Sequence, residues 1–209
     1  MNYQDFQKKA ARNDQHENDN AHFFSRHFCI PVGYVLDRLG LTPNHITWLF
    51  LLVGFGSAAA LYLQLPLMCY LLWRLHIILD MADGSVARAK QNFSRSAIGF
   101  DRSNHIIINT SLILASLHQS QSMLAVNFIM CSFYLAYFFS RNYYQEKQRT
   151  RRFSRTQTML KNAIGLEGYL TVSCILMWAD LPQYQVTTAI SYGIFFAILF
   201  LLKLRAFQR

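Results

Sequence analysis

Three aspartates, a histidine and an arginine, close together in the chain, have types and spacing suited to chemistry. The stretch Asp80-Met81-Ala82-Asp83-Gly84-Ser85-Val86-Ala87-Arg88 is followed by Asp101 and His105. Asp80 and Asp83 are three apart and share a helix face, which Ala87 continues. Asp101 and His105 are four apart and share a face of the next helix. A short connection between the two helices lets their ends meet, so three carboxylates and an imidazole converge. Carboxylates held that close repel unless cations neutralise them. Oxygen ligands favour hard ions such as Mg2+ or Mn2+. Two such ions, about 3.5–4 Å apart, can clamp a pyrophosphate and stabilise both attacking and leaving oxygens. Gly84 and Ala87 lack bulk, so a nucleotide can approach the backbone there, and Arg88 can pair with phosphate oxygens. On spacing alone, a polar cluster that only tethers two helices, or a proton path, stays open beside the metal reading.

The elements that position this cluster follow from composition. Of the 209 residues, 53% are hydrophobic and only 15% are charged. Soluble domains run about a quarter charged, so the chain is too apolar for that class and for intrinsic disorder. The cysteines at 29, 69, 131 and 174 lie too far apart in sequence for a zinc or redox motif and read as small buried residues.

Six apolar stretches, at about 46–63, 65–82, 98–117, 122–140, 164–180 and 186–202, are each near the length a membrane-spanning helix needs. Short joints at 64–66, 118–121 and 181–185 contain no Lys or Arg. The basic residues gather on the other side: Lys8, Lys9, Arg12, Arg26 and Arg38; Arg88, Lys90, Arg95 and Arg102; a run from Arg141 to Lys161; and Lys203, Arg205 and Arg209. By the positive-inside rule both termini and the acidic cluster face the cytoplasm. The net charge of +9 is then an orientation signal with some attraction to anionic lipid, and not a nucleic-acid footprint.

The expected architecture is an all-α integral membrane protein, with six transmembrane helices preceded by an amphipathic interfacial helix. Residues 1–27 read as a polar cytoplasmic tail with no signal peptide. Residues 28–40 read as the interfacial helix, with Pro31 in its first turn and Gly40 at its end. Residues 41–205 form the six-helix domain and 206–209 a second tail. The compact loops suggest a bacterial inner membrane. Charges near a bilayer centre are costly and usually functional, which returns attention to residues 80–105. His76, four before Asp80, reads as a satisfied core histidine. Arg74 reads as paired within the bundle, and Asn109 as extending the Asp101–His105 stripe.

The pattern Asp80-x-x-Asp83-Gly84-x-x-Ala87-Arg88, with Asp101 on the third acidic position, resembles the signature of the CDP-alcohol phosphotransferase family. The resemblance covers roughly residues 28–205. Pro43-Asn44-x-x-Thr47 is similar to that family's entry to its first span. The resemblance implies metal-dependent transfer of a phosphatidyl or other phospho-alcohol group from a CDP-linked donor, such as CDP-diacylglycerol, to an acceptor hydroxyl, with release of CMP. It implies Asp80, Asp83, Asp101 and the residue at 105 as ligands of two divalent ions. It implies Asn44, Thr47, Gly84, Ala87, Arg88 and Ser94 as contacts to the CDP donor, and a homodimer. The chain departs from the pattern twice: Ala97 stands at the glycine position and His105 at the fourth acid. The family's acid there is thought to deprotonate the acceptor. An imidazole can do the same near neutral pH, so His105 is the expected catalytic base. As a softer ligand it shifts the second ion toward Mn2+. Two rival readings accompany this one: transfer from a small CDP-alcohol to a lipid alcohol, and a weakly active or non-enzymatic membrane protein.

Overall fold

The computed structural model describes residues 1–11, 23–92, 95–116, 166–181 and 183–207. Among the described residues every regular element is an α-helix: α1 (Tyr3–Ala10), α2 (Phe23–Arg38), α3 (Pro43–Tyr62), α4 (Pro66–Lys90), α5 (Arg95–Ser116), α6 (Leu166–Trp178) and α7 (Gln183–Phe207). The all-α class is therefore observed. The stretch at 122–140 and the basic run from Arg141 to Lys161 lie outside the described residues.

Helix α3 starts where its sequence dictates. The Thr42 hydroxyl accepts from the His45 backbone, the His45 ring accepts from the Thr42 backbone, and Pro43 takes the first helical position. Among the described residues α3 alone is long and apolar enough to cross a membrane by length and composition; shorter apolar helices cover Gly168–Trp178 and Thr187–Ile198. Helix α4 has 25 residues, roughly 37 Å at 1.5 Å per residue. It carries Arg74, Asp80, Asp83, Arg88 and Lys90, too many charges to pass the same test. The chain reverses between α3 and α4 at Leu63-Gln64-Leu65, with Gln64 left-handed at φ 60°. That reversal coincides with the joint expected there.

Helix α4 is the hub, packing against α1, α2, α3 and α6, while α5 packs on α3 and α6 on α7. The core between them is apolar and closely fitted, with Ile46, Phe50, Leu61, Val86, Ile108, Leu112 and Phe196 fully buried. The α3–α5 crossing is tight at Gly54, where an added Cβ would lie 2.6 Å from Ile108 Cδ1. Cys29, Cys69 and Cys174 are buried, as small apolar residues are.

Two boundaries depart from expectation. Helix α2 begins at Phe23, so Pro31 lies inside it and not in its first turn. Pro31 is on the exposed side, where a missing N–H costs least because water can serve the backbone. The end is as expected: Gly40 takes φ +79° after Arg38, and the Leu41 backbone reaches back to the Leu36 carbonyl. Helix α2 also packs lengthwise on α4, and Lys90 pairs with Asp37 at 2.7 Å. The second departure is α1. Residues 3–10 are not a loose tail: Asn2 caps them by accepting from Asp5, and Phe6 is wholly buried.

Candidate functional site

The acidic stretch lies on the last three turns of α4 because the helix continues past its apolar half to Lys90. Helix α5 brings Asp101 and His105 alongside. His105 Nε2 lies 3.1 Å from Asp80 Oδ1 and 3.6 Å from Asp101 Oδ1. One ligand atom from each of Asp80, Asp101 and His105 falls within 4.8 Å of the others. All three side chains are part-exposed.

The imidazole is held from behind. Its ring stacks on Phe50 at 5.8 Å between centroids and 26° between planes. Phe50 is fully buried and meets His76 edge-on at 5.2 Å. His76 Nδ1 donates to the Phe50 carbonyl at 2.9 Å and the ring stacks on Trp73. His76 is thus a core histidine with its polar atom engaged. Arg74 lies over the Tyr70 ring, 4.9 Å from its centroid, and Asn109 is buried on α5.

Asp83 stands on the same face but outside the group that can share one ion. Its Oδ2 accepts from Thr47 Oγ1 at 2.9 Å, and Thr47 also reaches the Pro43 carbonyl at 3.0 Å. Thr47 therefore serves a carboxylate from behind and does not itself line the cavity.

A cavity of about 570 Å3 opens over these groups, lined by Asp80, Met81, Asp83, Gly84, Ser85 and Arg88 of α4, Asp101 and His105 of α5, Cys29 and Ile30 of α2, and Ala10 and Ala11 at the end of α1. Arg88 forms one wall. Its Nε donates to the Ala10 carbonyl at 2.8 Å, and Nη2 donates to Ser85 Oγ at 3.2 Å. At Gly84 a Cβ would come within 3.3 Å of Arg88 Nη1, so the guanidinium would have to shift by a few tenths of an ångström.

The structure thus brings together Asp80, Asp83, Gly84, Arg88, Asp101 and His105. Asn44 is exposed in the first turn of α3, and neither it nor Ala87 is among the cavity-lining residues. Ser94 lies outside the described residues, and the side chain of Ala97 is likewise not described. Gly99 has open space around it. The sequence reading missed Phe50 behind the histidine, Ser85 beneath Arg88, and the whole of α1. A signal for α1 exists in the sequence: a capping Asn2 and apolar residues at Tyr3, Phe6 and Ala10, spaced for one helix face.

The donor set fits a divalent cation by its chemistry. Two carboxylates and an imidazole within one ion's reach, with a third carboxylate on the same wall, suit Mg2+ or Mn2+ better than a soft metal. The gathered donors serve one ion; a second would have to draw on Asp83. No protein-family model and no curated protein sequence matches the chain.

Proposed function

We propose that the chain is a metal-dependent CDP-alcohol phosphotransferase, embedded through six helices with α2 at the interface and the cavity open to the cytoplasm. The observation that carries this reading is one cavity lined by Asp80, Asp101 and His105 together with Gly84 and Arg88. An acidic cation site next to a bulk-free backbone and a guanidinium is what a nucleoside diphosphate requires. A tether or proton path needs neither Gly84 nor Arg88.

The bound cation would neutralise the donor diphosphate and stabilise charge on the leaving oxygen. Asp80, Asp101 and His105 would hold it, and Asp83 would hold a second if two are present. Arg88 binds the donor phosphates and Gly84 lets them approach α4. The acceptor hydroxyl forms a new oxygen–phosphorus bond, the phosphoanhydride bond breaks, and CMP leaves with the electron pair. The hydroxyl proton passes to His105 Nε2 in its unprotonated form, and the imidazolium so formed makes the contacts to Asp80 and Asp101 that the structure shows. One ring nitrogen cannot coordinate an ion and take a proton at once, so during turnover the carboxylates keep the ion and His105 the proton.

Purified protein in lipid nanodiscs, supplied with CDP-diacylglycerol, a panel of alcohols and Mg2+ or Mn2+, should release CMP; Asp80→Asn should not. A panel of small CDP-alcohols with diacylglycerol tests the reverse polarity. A second reading rests on the direct His105–Asp80 contact, which satisfies both groups without any ion: a polar tether between α4 and α5 with no reaction. It predicts no CMP release from any donor and no dependence on divalent metal.

A further inference from the structure

Helix α1 has eight residues, too few to persist in water without tertiary support. Its support is specific. The Phe6 ring is wholly buried, meets Tyr34 edge-on at 5.6 Å, and lies 3.6 Å from where a Cβ of Gly33 would be; Tyr3 packs on the same Tyr34 ring at 5.2 Å. The same Gly33 lets α2 approach the Ala82 carbonyl of α4. This three-helix junction delivers the C-terminal end of α1 to the cavity, where Ala10 and Ala11 form part of the wall.

The last carbonyls of a helix have no partner within it and carry partial negative charge. In α1 the Ala10 carbonyl accepts from Arg88 Nε at 2.8 Å. Ser85 holds the other end of the fork through Nη2, and Ser85 is itself fixed by the Met81 carbonyl at 2.9 Å. The guanidinium is thereby oriented by two anchors, with Nη1 over Gly84. We propose that α1 is a built-in wall of the donor pocket and that the Ala10 carbonyl positions Arg88 toward the diphosphate of a cytidine nucleotide. This rests on the proposed function. It makes Ala10 a positioning residue and Phe6 the bolt that holds it in place.

The test uses full-length protein in nanodiscs, with CMP and Mg2+ as the probe in calorimetry and CDP-diacylglycerol for kinetics. Phe6→Asp should unseat α1, weaken CMP binding and raise KM by about tenfold, the scale of one charge-assisted hydrogen bond, with kcat within about twofold. Phe6→Leu should restore both. On the Phe6→Asp background, Arg88→Ala should add little further loss, because Arg88 is already misdirected. Wild-type protein that binds no CMP would sink the functional reading and this inference with it. Wild-type protein that binds CMP while Phe6→Asp binds as tightly, or more tightly, would overturn this inference alone. So would a full additional loss from Arg88→Ala on that background.

Discussion

His105 Nε2 lies 3.1 Å from Asp80 Oδ1, a contact that joins α5 to α4 across 25 positions of chain. The same nitrogen is 3.6 Å from Asp101, so one imidazole bridges the two carboxylates best placed to hold an ion. The two carboxylates and the histidine should separate on substitution. Asp80→Asn or Asp101→Asn should abolish both metal binding and CMP release. His105→Ala should lower turnover by about 10²–10⁴-fold, the span of general-base catalysis, while Mn2+ binding, followed by electron paramagnetic resonance, persists at reduced affinity. Unchanged turnover in His105→Ala would remove the histidine from the reaction.

Stripping divalent metal should stop CMP release, and adding Mn2+ or Mg2+ should restore it. Because an imidazole replaces one oxygen donor in the resting site, Mn2+ should bind at lower concentration than Mg2+ and so restore activity first. Titrating each ion into chelator-treated protein checks the order.

Thr47 donates to the part-buried Asp83 at 2.9 Å. Thr47→Val keeps the shape and removes the donor. It should destabilise the protein by about 0.5–1.5 kcal/mol, the net worth of one hydrogen bond, because Asp83 lines an open cavity where water can replace the hydroxyl. Thr47→Ser should be close to neutral. Thermal unfolding in one detergent compares the three; equal midpoints for Val and Ser would show that the bond contributes nothing.

Gly54 faces Ile108 with no room for a Cβ, at 2.6 Å from Cδ1. Gly54→Ala should cost about 1–3 kcal/mol by overpacking the α3–α5 crossing. Pairing it with Ile108→Val should recover part of the loss. If the double variant is no better than the sum of the two, the crossing is not where the strain lies.

The acidic cluster was legible in the sequence because helical spacing is local. Three between Asp80 and Asp83, and four between Asp101 and His105, place each pair on a face before any fold is known. The reversal at Gln64-Leu65-Pro66 was legible for the same reason. What failed depends on partners distant in sequence. Helix α1 is stabilised by Tyr34 and Gly33, not by its own propensity, so a polar eight-residue stretch read as a tail. Pro31 looked like a helix start, but the packing of α2 on α4 outweighs its local preference. Thr47 and Asn44 sit in one short motif, yet only Thr47 is buried and meets Asp83, while Asn44 in the first turn of α3 stays exposed.

The reversal between α3 and α4 takes only Leu63, Gln64 and Leu65. Thr47 and Asp83 thus belong to a single helical hairpin, which closes over a short loop at low entropic cost. This half of the pocket is joined by contacts within the hairpin, to which α5 adds Asp101 and His105. A lesion confined to α5 would then leave a correctly paired but unfinished hairpin, not a misfolded chain.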